Sequence, residues 1–118
     1  QDVYLIYCGY DSWRAKYWVD DMVDYFGDSV MLPVIKGKKT LSAPMKLLGK
    51  ELESGNIIYN NNPIDKWCLC NTATDEDVNG NIQPHKTNNP RRRIDGTAAL
   101  LDAYTVFCDK QDEYLSLM

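Results

Sequence analysis

The run Val3-Tyr4-Leu5-Ile6-Tyr7-Cys8, which ends at Gly9, decides the fold class because it is almost continuously apolar. Such a run is typical of a strand buried on both faces, as in a parallel sheet. Residues 30–35 predict a second strand, and Pro33 within it indicates a sheet edge or a bulge. Between the two runs, apolar residues recur at helical spacing until Gly27, which predicts a helix and its end. Strand, helix and strand in this order predict a right-handed βαβ unit.

Further elements follow along the chain. After a polar connection at residues 37–40, a helix is predicted with Ser42 as its cap, Pro44 in its first turn and its end at residues 54–55. Residues 57–59 predict a short strand. The turn at residues 60–63 then leads into a short helix through Trp67 and Leu69.

The last third of the chain predicts a hairpin and a long helix. Asn79-Gly80 is a strong hairpin signal, so residues 77–78 are expected to pair with residues 82–83. The last helix is expected to start at Arg93 or Ile94 and to continue past residue 108. Its apolar positions follow the 3.6-residue period and are Ile94, Ala98, Leu101, Thr105 and Cys108. The fold class is therefore α/β: a short, mostly parallel sheet with flanking helices, a small β-hairpin and a long C-terminal helix.

The composition limits the classes of protein to which the chain can belong. A length of 118 residues with 44% hydrophobic content suits one domain spanning residues 1–118. A net charge of -4 argues against a general nucleic-acid coat, although it allows a local basic patch. We expect no membrane association, because no apolar segment approaches the roughly 20 residues that span a bilayer. No signal peptide is visible, and Gln1 in place of Met indicates a piece of a longer or processed protein. The four cysteines are expected to be reduced, as in a cytoplasmic protein.

Asp11 is the first candidate for chemistry, because it follows the predicted first strand at its carboxyl end. Ligands of open α/β sheets bind at that edge, where the loops diverge. A simpler interpretation stays open, in which Asp11 or Ser12 only caps the following helix.

A second candidate region combines Arg91, Arg92 and Arg93 with Asp95, in the first turn of the last helix. Arginine binds phosphate oxygens bidentately, so this combination suits an enzyme that handles phosphates. The alternatives are that the helix dipole alone explains the carboxylate and that the arginines are a solvated patch. Asp102, two turns later, ranks below Asp95 as a supporting or surface carboxylate.

Two further groups of residues are weaker candidates. Lys86 and His85 extend the basic surface, although we interpret a lone histidine as exposed. An aromatic cluster near Asp11 is able to stack on bases, but its helical spacing favours core packing. This cluster consists of Tyr10, Trp13, Tyr17 and Trp18.

Five blocks of the sequence resemble the large subunits of tailed double-stranded-DNA phage terminases, in the order of that family. Residues 9–15, GYDSWRA, resemble its YDPWNA segment, and residues 41–46, LSAPMK, resemble its LSPPMK segment. An NPxxxWxxxN pattern is matched by Asn62, Pro63, Trp67 and Asn71. Residues 79–86, NGNIQPHK, resemble NGNIKPxK, and residues 92–96, RRIDG, resemble ERIDG. Together the blocks cover most of residues 3–108.

This resemblance implies the C-terminal part of a terminase nuclease domain, with a partial RNase H-like fold. It implies a role in cutting concatemeric double-stranded viral DNA during genome packaging, in the host cytoplasm. Enzymes of the family hold two divalent ions, usually Mg²⁺ or Mn²⁺, and the match places ligands at Asp11 and Asp95. The DNA backbone would contact Arg91, Arg92, Arg93 and Lys86. The implied partners are double-stranded DNA, the terminase small subunit, the portal and the ATPase domain of the same protein.

The chain departs from the family pattern in one respect, because the family's first catalytic Asp lies on an earlier strand, upstream of the matched blocks. We therefore expect weak metal binding, poor cleavage at best, and self-association through an exposed strand edge. Two alternatives stay open: a non-catalytic prophage remnant or interaction fragment, and an unrelated small α/β protein with accidental motifs.

Overall fold

The computed structural model of the protein describes residues 4–118. Within them it contains four strands and five helices in an α/β arrangement. In chain order these are β1 (Cys8–Asp11), α1 (Lys16–Phe26), β2 (Met31–Val34), α2 (Lys38–Glu53), α3 (Pro63–Asn71), β3 (Thr72–Glu76), β4 (Ile82–Lys86), α4 (Asp95–Asp109) and α5 (Gln111–Ser116). No helix in this part of the chain has both the length and the apolar character needed to cross a membrane. The elements fall into two compact units.

The first unit combines the described residues up to Lys36 with Asp102–Met118. Its β1 and β2 pair in parallel, with Cys8 opposite Met31 and Asp11 opposite Val34. Helix α1 connects the two strands, as the predicted strand–helix–strand order requires. The apolar core of the unit is formed by Val19, Met31, Val34 and Val106, which are buried.

The predicted first strand is wrong in its position. Val3 lies outside the described residues, and strand pairing starts only at Cys8. Tyr4 is 83% exposed rather than buried. Gly9 lies inside β1 instead of ending it. The physical reason is pairing, because the register with β2 begins at Met31, opposite Cys8.

Helix α1 differs from its prediction at one end. Its N-cap is Ala15, which makes no side-chain capping bond, so neither Asp11 nor Ser12 caps the helix. At the other end Gly27 stops the helix as predicted, with a φ of 94° and a hydrogen bond from its N–H to the carbonyl of Val23. A positive φ there suits glycine, which has no Cβ to clash with the backbone.

The second unit comprises Gly37–Leu101. Helix α2 begins at Lys38, earlier than predicted, so Pro44 lies inside the helix rather than in its first turn. Ser42 is buried in α2 and is not its cap. Its hydroxyl accepts a 3.0 Å hydrogen bond from the backbone N–H of Ile82, at the start of β4. Ser42 cannot cap α2, because the helix begins four residues before it.

The region between α2 and α3 contains no strand at residues 57–59, contrary to prediction, and Ile58 is exposed. The predicted short helix after the turn is confirmed as α3. The side chain of Asn62 caps it, accepting hydrogen bonds from the backbone N–H groups of Ile64 at 2.9 Å and Asp65 at 3.4 Å. Pro63 occupies the first helical position, where its missing N–H costs nothing.

The hairpin is confirmed, with its strands displaced from the predicted positions. β3 and β4 are antiparallel, and Glu76 pairs with Ile82. Asp77 and Val78 therefore lie in the turn. The carboxylate of Asp77 accepts the backbone N–H groups of Asn79 and Asn81, each at 2.9 Å, which stabilises the turn.

The long last helix is confirmed as α4, which starts one or two residues later than predicted. Its residues up to Leu101 belong to the second unit and those from Asp102 to the first. The periodic apolar positions Ile94, Leu101 and Thr105 are buried, as the 3.6-residue period predicts.

Candidate functional site

Asp11 is the last residue of β1, at the carboxyl end of the parallel pair. One of its carboxylate oxygens lies 2.8 Å from Nζ of Lys36, and the other accepts the backbone N–H of Trp13 at 3.0 Å. Burial raises the pKa of Asp11, but the hydrogen bonds from Lys36 and Trp13 and the charges of Lys36 and Arg14 outweigh it. The pKa of Asp11 is therefore lowered, and the carboxylate is ionised at neutral pH.

Asp102 is the second carboxylate of this region in the first unit. It is half-buried, and that burial raises its pKa; the negative charge of Asp11 raises it further, whereas Lys36 opposes the rise. The backbone of Asp102 lies against β1, because a Cβ at Gly9 would lie 2.7 Å from the carbonyl oxygen of Asp102. Asp102 therefore lies on α4 beside the strand that carries Asp11, and the charges of the two carboxylates interact.

Lys36 is a residue of this region that sequence reasoning missed. It follows β2 by two positions, as Asp11 ends β1, and the carboxyl ends of paired parallel strands meet at one edge. The sequence contains this signal, because Lys36 follows a predicted strand. It was missed because 25 residues separate Lys36 from Asp11 along the chain.

Asp95 lies in the second unit, where it is the first residue of α4 and is exposed. The start of this helix packs closely on α3. A Cβ at Gly96 would lie 3.2 Å from Sγ of Cys68 and 3.3 Å from a carboxylate oxygen of Asp65. A cavity of about 320 Å³ lies beside this contact, and Leu69 and Leu100 are among its lining residues.

Asp11 belongs to the first unit and Asp95 to the second. Their meeting at one metal site therefore stays a prediction. Within residues 4–118, no group of three or more His, Cys, Asp or Glu side chains is arranged to hold a metal ion.

The basic residues of the second unit are accessible. Arg91, Arg92 and Arg93 are exposed, just before α4, and Lys86 is exposed at the end of β4. The backbone of this segment is anchored, because the carbonyl of Arg93 accepts a 3.0 Å hydrogen bond from the buried side chain of Asn71. His85 is exposed, as predicted. The three arginine side chains are thus accessible to solvent, while the backbone at Arg93 is held in place.

The aromatic cluster next to Asp11 is not a core, contrary to the favoured prediction. Trp13 and Tyr17 are 79% and 86% exposed, and Trp18 is exposed as well. In α1, Val19 is buried and Met22 and Val23 are partly buried, so the helix packs through these residues and not through its aromatic ones. Tyr10, in β1, is partly buried. Stacking on bases, the alternative role, stays open.

Comparison with known protein families gives a match. The sequence model of the family described as terminase large subunit, endonuclease domain, matches residues 4–111. Neither a curated protein nor a solved structure is similar enough to the chain to count as a match. The matched range includes β1 to α4 and therefore every candidate residue named above.

Proposed function

Since the chain belongs to the family of terminase large subunit endonuclease domains, we propose that it is a segment of a metal-dependent endonuclease. Its substrate is concatemeric double-stranded viral DNA, which it cleaves during genome packaging in the host cytoplasm. Residues 1–118 form the C-terminal portion of the nuclease domain, with a partial RNase H-like fold. The observation that carries this proposal is an ionised carboxylate, Asp11, held at the carboxyl end of a parallel strand pair.

The donor atoms near Asp11 suit a hard divalent cation. Asp11 and Asp102 offer carboxylate oxygens, the ligand type that Mg²⁺ and Mn²⁺ prefer. The ammonium group of Lys36, 2.8 Å from Asp11, shows that positive charge is favoured at this position. We assign Asp11 and Asp95 as metal ligands and catalytic residues, by the family resemblance. Two bound ions would supply an activated water and charge stabilisation of the leaving oxygen.

The exposed basic residues provide the contacts to DNA. Arg91, Arg92 and Arg93 are placed to pair with phosphate oxygens, and Lys86 adds a point charge at the end of β4. These contacts are electrostatic, so the affinity for DNA falls steeply as the salt concentration rises. The further partners that we propose are the terminase small subunit, the portal and the ATPase domain of the same protein.

One observation favours a second candidate, a non-catalytic interaction fragment or prophage remnant. The ion pair with Lys36 already neutralises Asp11, and it must open before an ion binds there. A fragment in which this pair stays closed would dock on a partner and cut nothing.

The two functions differ in their response to Mn²⁺. We expect calorimetry to detect weak Mn²⁺ binding, and supercoiled plasmid to be nicked slowly in the presence of the ion. Asp11→Asn and Asp95→Asn should each abolish both signals, because each removes a ligand charge. Asp20→Asn is the matched control, since it removes an exposed carboxylate from α1 of the first unit.

Mn²⁺ binding that survives in Asp11→Asn would contradict the assignment of this ligand. A complete absence of Mn²⁺ binding and nicking in the unaltered chain would favour the interaction fragment. Efficient cleavage by the unaltered chain, lost in Asp11→Asn, would show that the expected incompleteness is wrong.

A further inference from the structure

Trp13 is a solvent-exposed residue close to Asp11 in the chain. Trp13 lies in the turn between β1 and α1, and it is 79% exposed. Its backbone N–H donates a 3.0 Å hydrogen bond to the carboxylate of Asp11. The carboxylate of Asp11, which we assign to catalysis, therefore also holds the backbone of Trp13 in place.

Cationic residues lie around this turn, together with the carboxylate of Asp11, which Lys36 neutralises. The first unit contains four basic residues, Arg14, Lys16, Lys36 and Lys110. Arg14 is the residue after Trp13, Lys16 is the first residue of α1, and the charges of Arg14 and Lys36 act on Asp11. Three of the four cations thus belong to the end of the unit at which Trp13 lies.

The rest of α1 has the opposite charge. Asp20, Asp21 and Asp24 are exposed on the helix, beyond the turn. These carboxylates repel phosphate groups, so a polyanion is favoured at the turn and disfavoured along the helix. Within the first unit, the charge pattern therefore favours a nucleic-acid contact at residues 12–16 over one along α1.

Exposure alone does not identify a binding residue, because single exposed apolar side chains are common. Tyr25 illustrates this point, since it is 80% exposed at the far end of α1, next to Asp24. Trp13 differs from Tyr25 in two respects: its backbone N–H donates a hydrogen bond to the carboxylate of Asp11, and cationic residues follow it in sequence.

We propose that Trp13 stacks on an unpaired DNA base beside the strand that is cut, with Arg14 on the adjoining phosphate. An indole stacks on any base, since every base has a π face, and this kind of contact is typical of single-strand binding. The inference rests on the proposed function, which it deepens: DNA next to the cut is held locally unpaired.

The test is the binding of a fluorescein-labelled oligothymidine, compared with a duplex of equal length, in EDTA at low salt. Without metal there is no cleavage, so fluorescence anisotropy reports binding alone. Trp13→Ala should weaken single-strand binding by at least about five-fold, the lower end of the effect of removing one stacked base. Duplex binding should change less than two-fold. Trp13→Phe should restore most of the single-strand affinity, because it keeps an aromatic face.

Two further variants separate stacking from charge. Arg14→Ala should reduce the salt dependence of binding by about one phosphate contact, whereas Trp13→Ala should leave that dependence unchanged. Tyr25→Ala, the control, should bind both DNAs as the unaltered protein does.

Equal losses of single-strand and duplex binding in Trp13→Ala would overturn the proposal, and so would no loss at all. A variant whose self-association changes while its DNA binding does not would instead identify Trp13 as a protein contact. The chain could also stack through Trp13 and yet never cut duplex DNA in the presence of Mn²⁺. That result would contradict the proposed endonuclease function but would support the proposed stacking contact.

Discussion

At the scale of single residues, the ion pair between Lys36 and Asp11 controls the charge at the candidate site. Lys36 lowers the pKa of Asp11 and opposes the rise in the pKa of Asp102. One ammonium group therefore favours the ionised form of both carboxylates. A divalent cation that displaced it would meet the same pair of negative groups.

We predict that Lys36→Met raises the pKa of Asp11. Burial raises this pKa, and the variant lacks the ammonium group that lowers it. In the folded protein the pKa of Asp11 lies below its value of about 3.9 in the unfolded chain, and this difference stabilises the fold at pH values above about 3.9. This contribution is lost as the pH falls through the folded-state pKa. The variant should therefore be less stable than the unaltered protein near neutral pH, and the difference should shrink in acid.

Carboxyl chemical shifts followed against pH by NMR measure the pKa directly, and urea unfolding at several pH values measures the stability difference. Lys16→Met is the matched control, since it removes an exposed cation from the same unit. An unchanged Asp11 titration in Lys36→Met would show that the ion pair is not formed in solution.

The candidate residues were predictable from the sequence only where local rules apply. Asp95 lies in the first turn of its helix, as the residues around it predict. Asp11 was expected just after a strand and is the last residue of one. The coupling of Asp102 to Asp11 was not predictable, because it arises when a helix 91 residues later packs near β1. No local pattern encodes such a distance.

At the scale of elements, the packing of α4 on β1 depends on Gly9. A Cβ at this position would lie 2.7 Å from the carbonyl oxygen of Asp102 and 2.7 Å from a methyl group of Val106. Both distances are far below van der Waals contact. The strand and the helix therefore approach more closely than any side chain at residue 9 allows.

Gly9→Ala should lower the free energy of unfolding by about 1–3 kcal/mol, the usual cost of overpacking. Urea denaturation followed by circular dichroism measures this change. Gly49→Ala is the matched control: it lies within α2, and apart from its chain neighbours and the adjoining backbone of α2, no atom of the described residues comes within 4 Å of a Cβ placed there. That control should be neutral or gain up to about 1 kcal/mol from helix propensity. Equal stabilities of the two variants would show that the close approach does not exist.

Elements specified by local signals were predicted well, and those that depend on partners were not. Helices α1, α3 and α4 follow apolar spacing and stop signals, and the hairpin follows Asn79-Gly80. The apolar residues 4–7 and 57–59 were predicted to be strands, yet neither run pairs with another strand. A strand exists only where a second backbone offers its hydrogen bonds. Apolar composition alone does not supply that partner.

At the scale of the whole molecule, much apolar surface is left in solvent. Among residues 4–118, β1 pairs with β2 alone, so its other edge has no strand beside it. Leu5 and Ile35, near the ends of these strands, are exposed, and residues 4–7 line an apolar groove of about 240 Å³. Unpaired strand edges and exposed apolar side chains both favour association with another chain.

We therefore expect the protein to self-associate at micromolar concentration through the open edges of the β1–β2 pair in the first unit. Leu5→Lys and Ile35→Lys should each shift sedimentation-velocity profiles toward the monomer, because a buried ammonium group would have to be desolvated in the contact. Ile58→Lys is the matched control: it places the same charge on an isoleucine that is 84% exposed in a loop of the second unit. If all three variants dissociate alike, general charge repulsion is the cause rather than the strand edge. A monomeric unaltered protein would show that the open edge of β1 is protected from association.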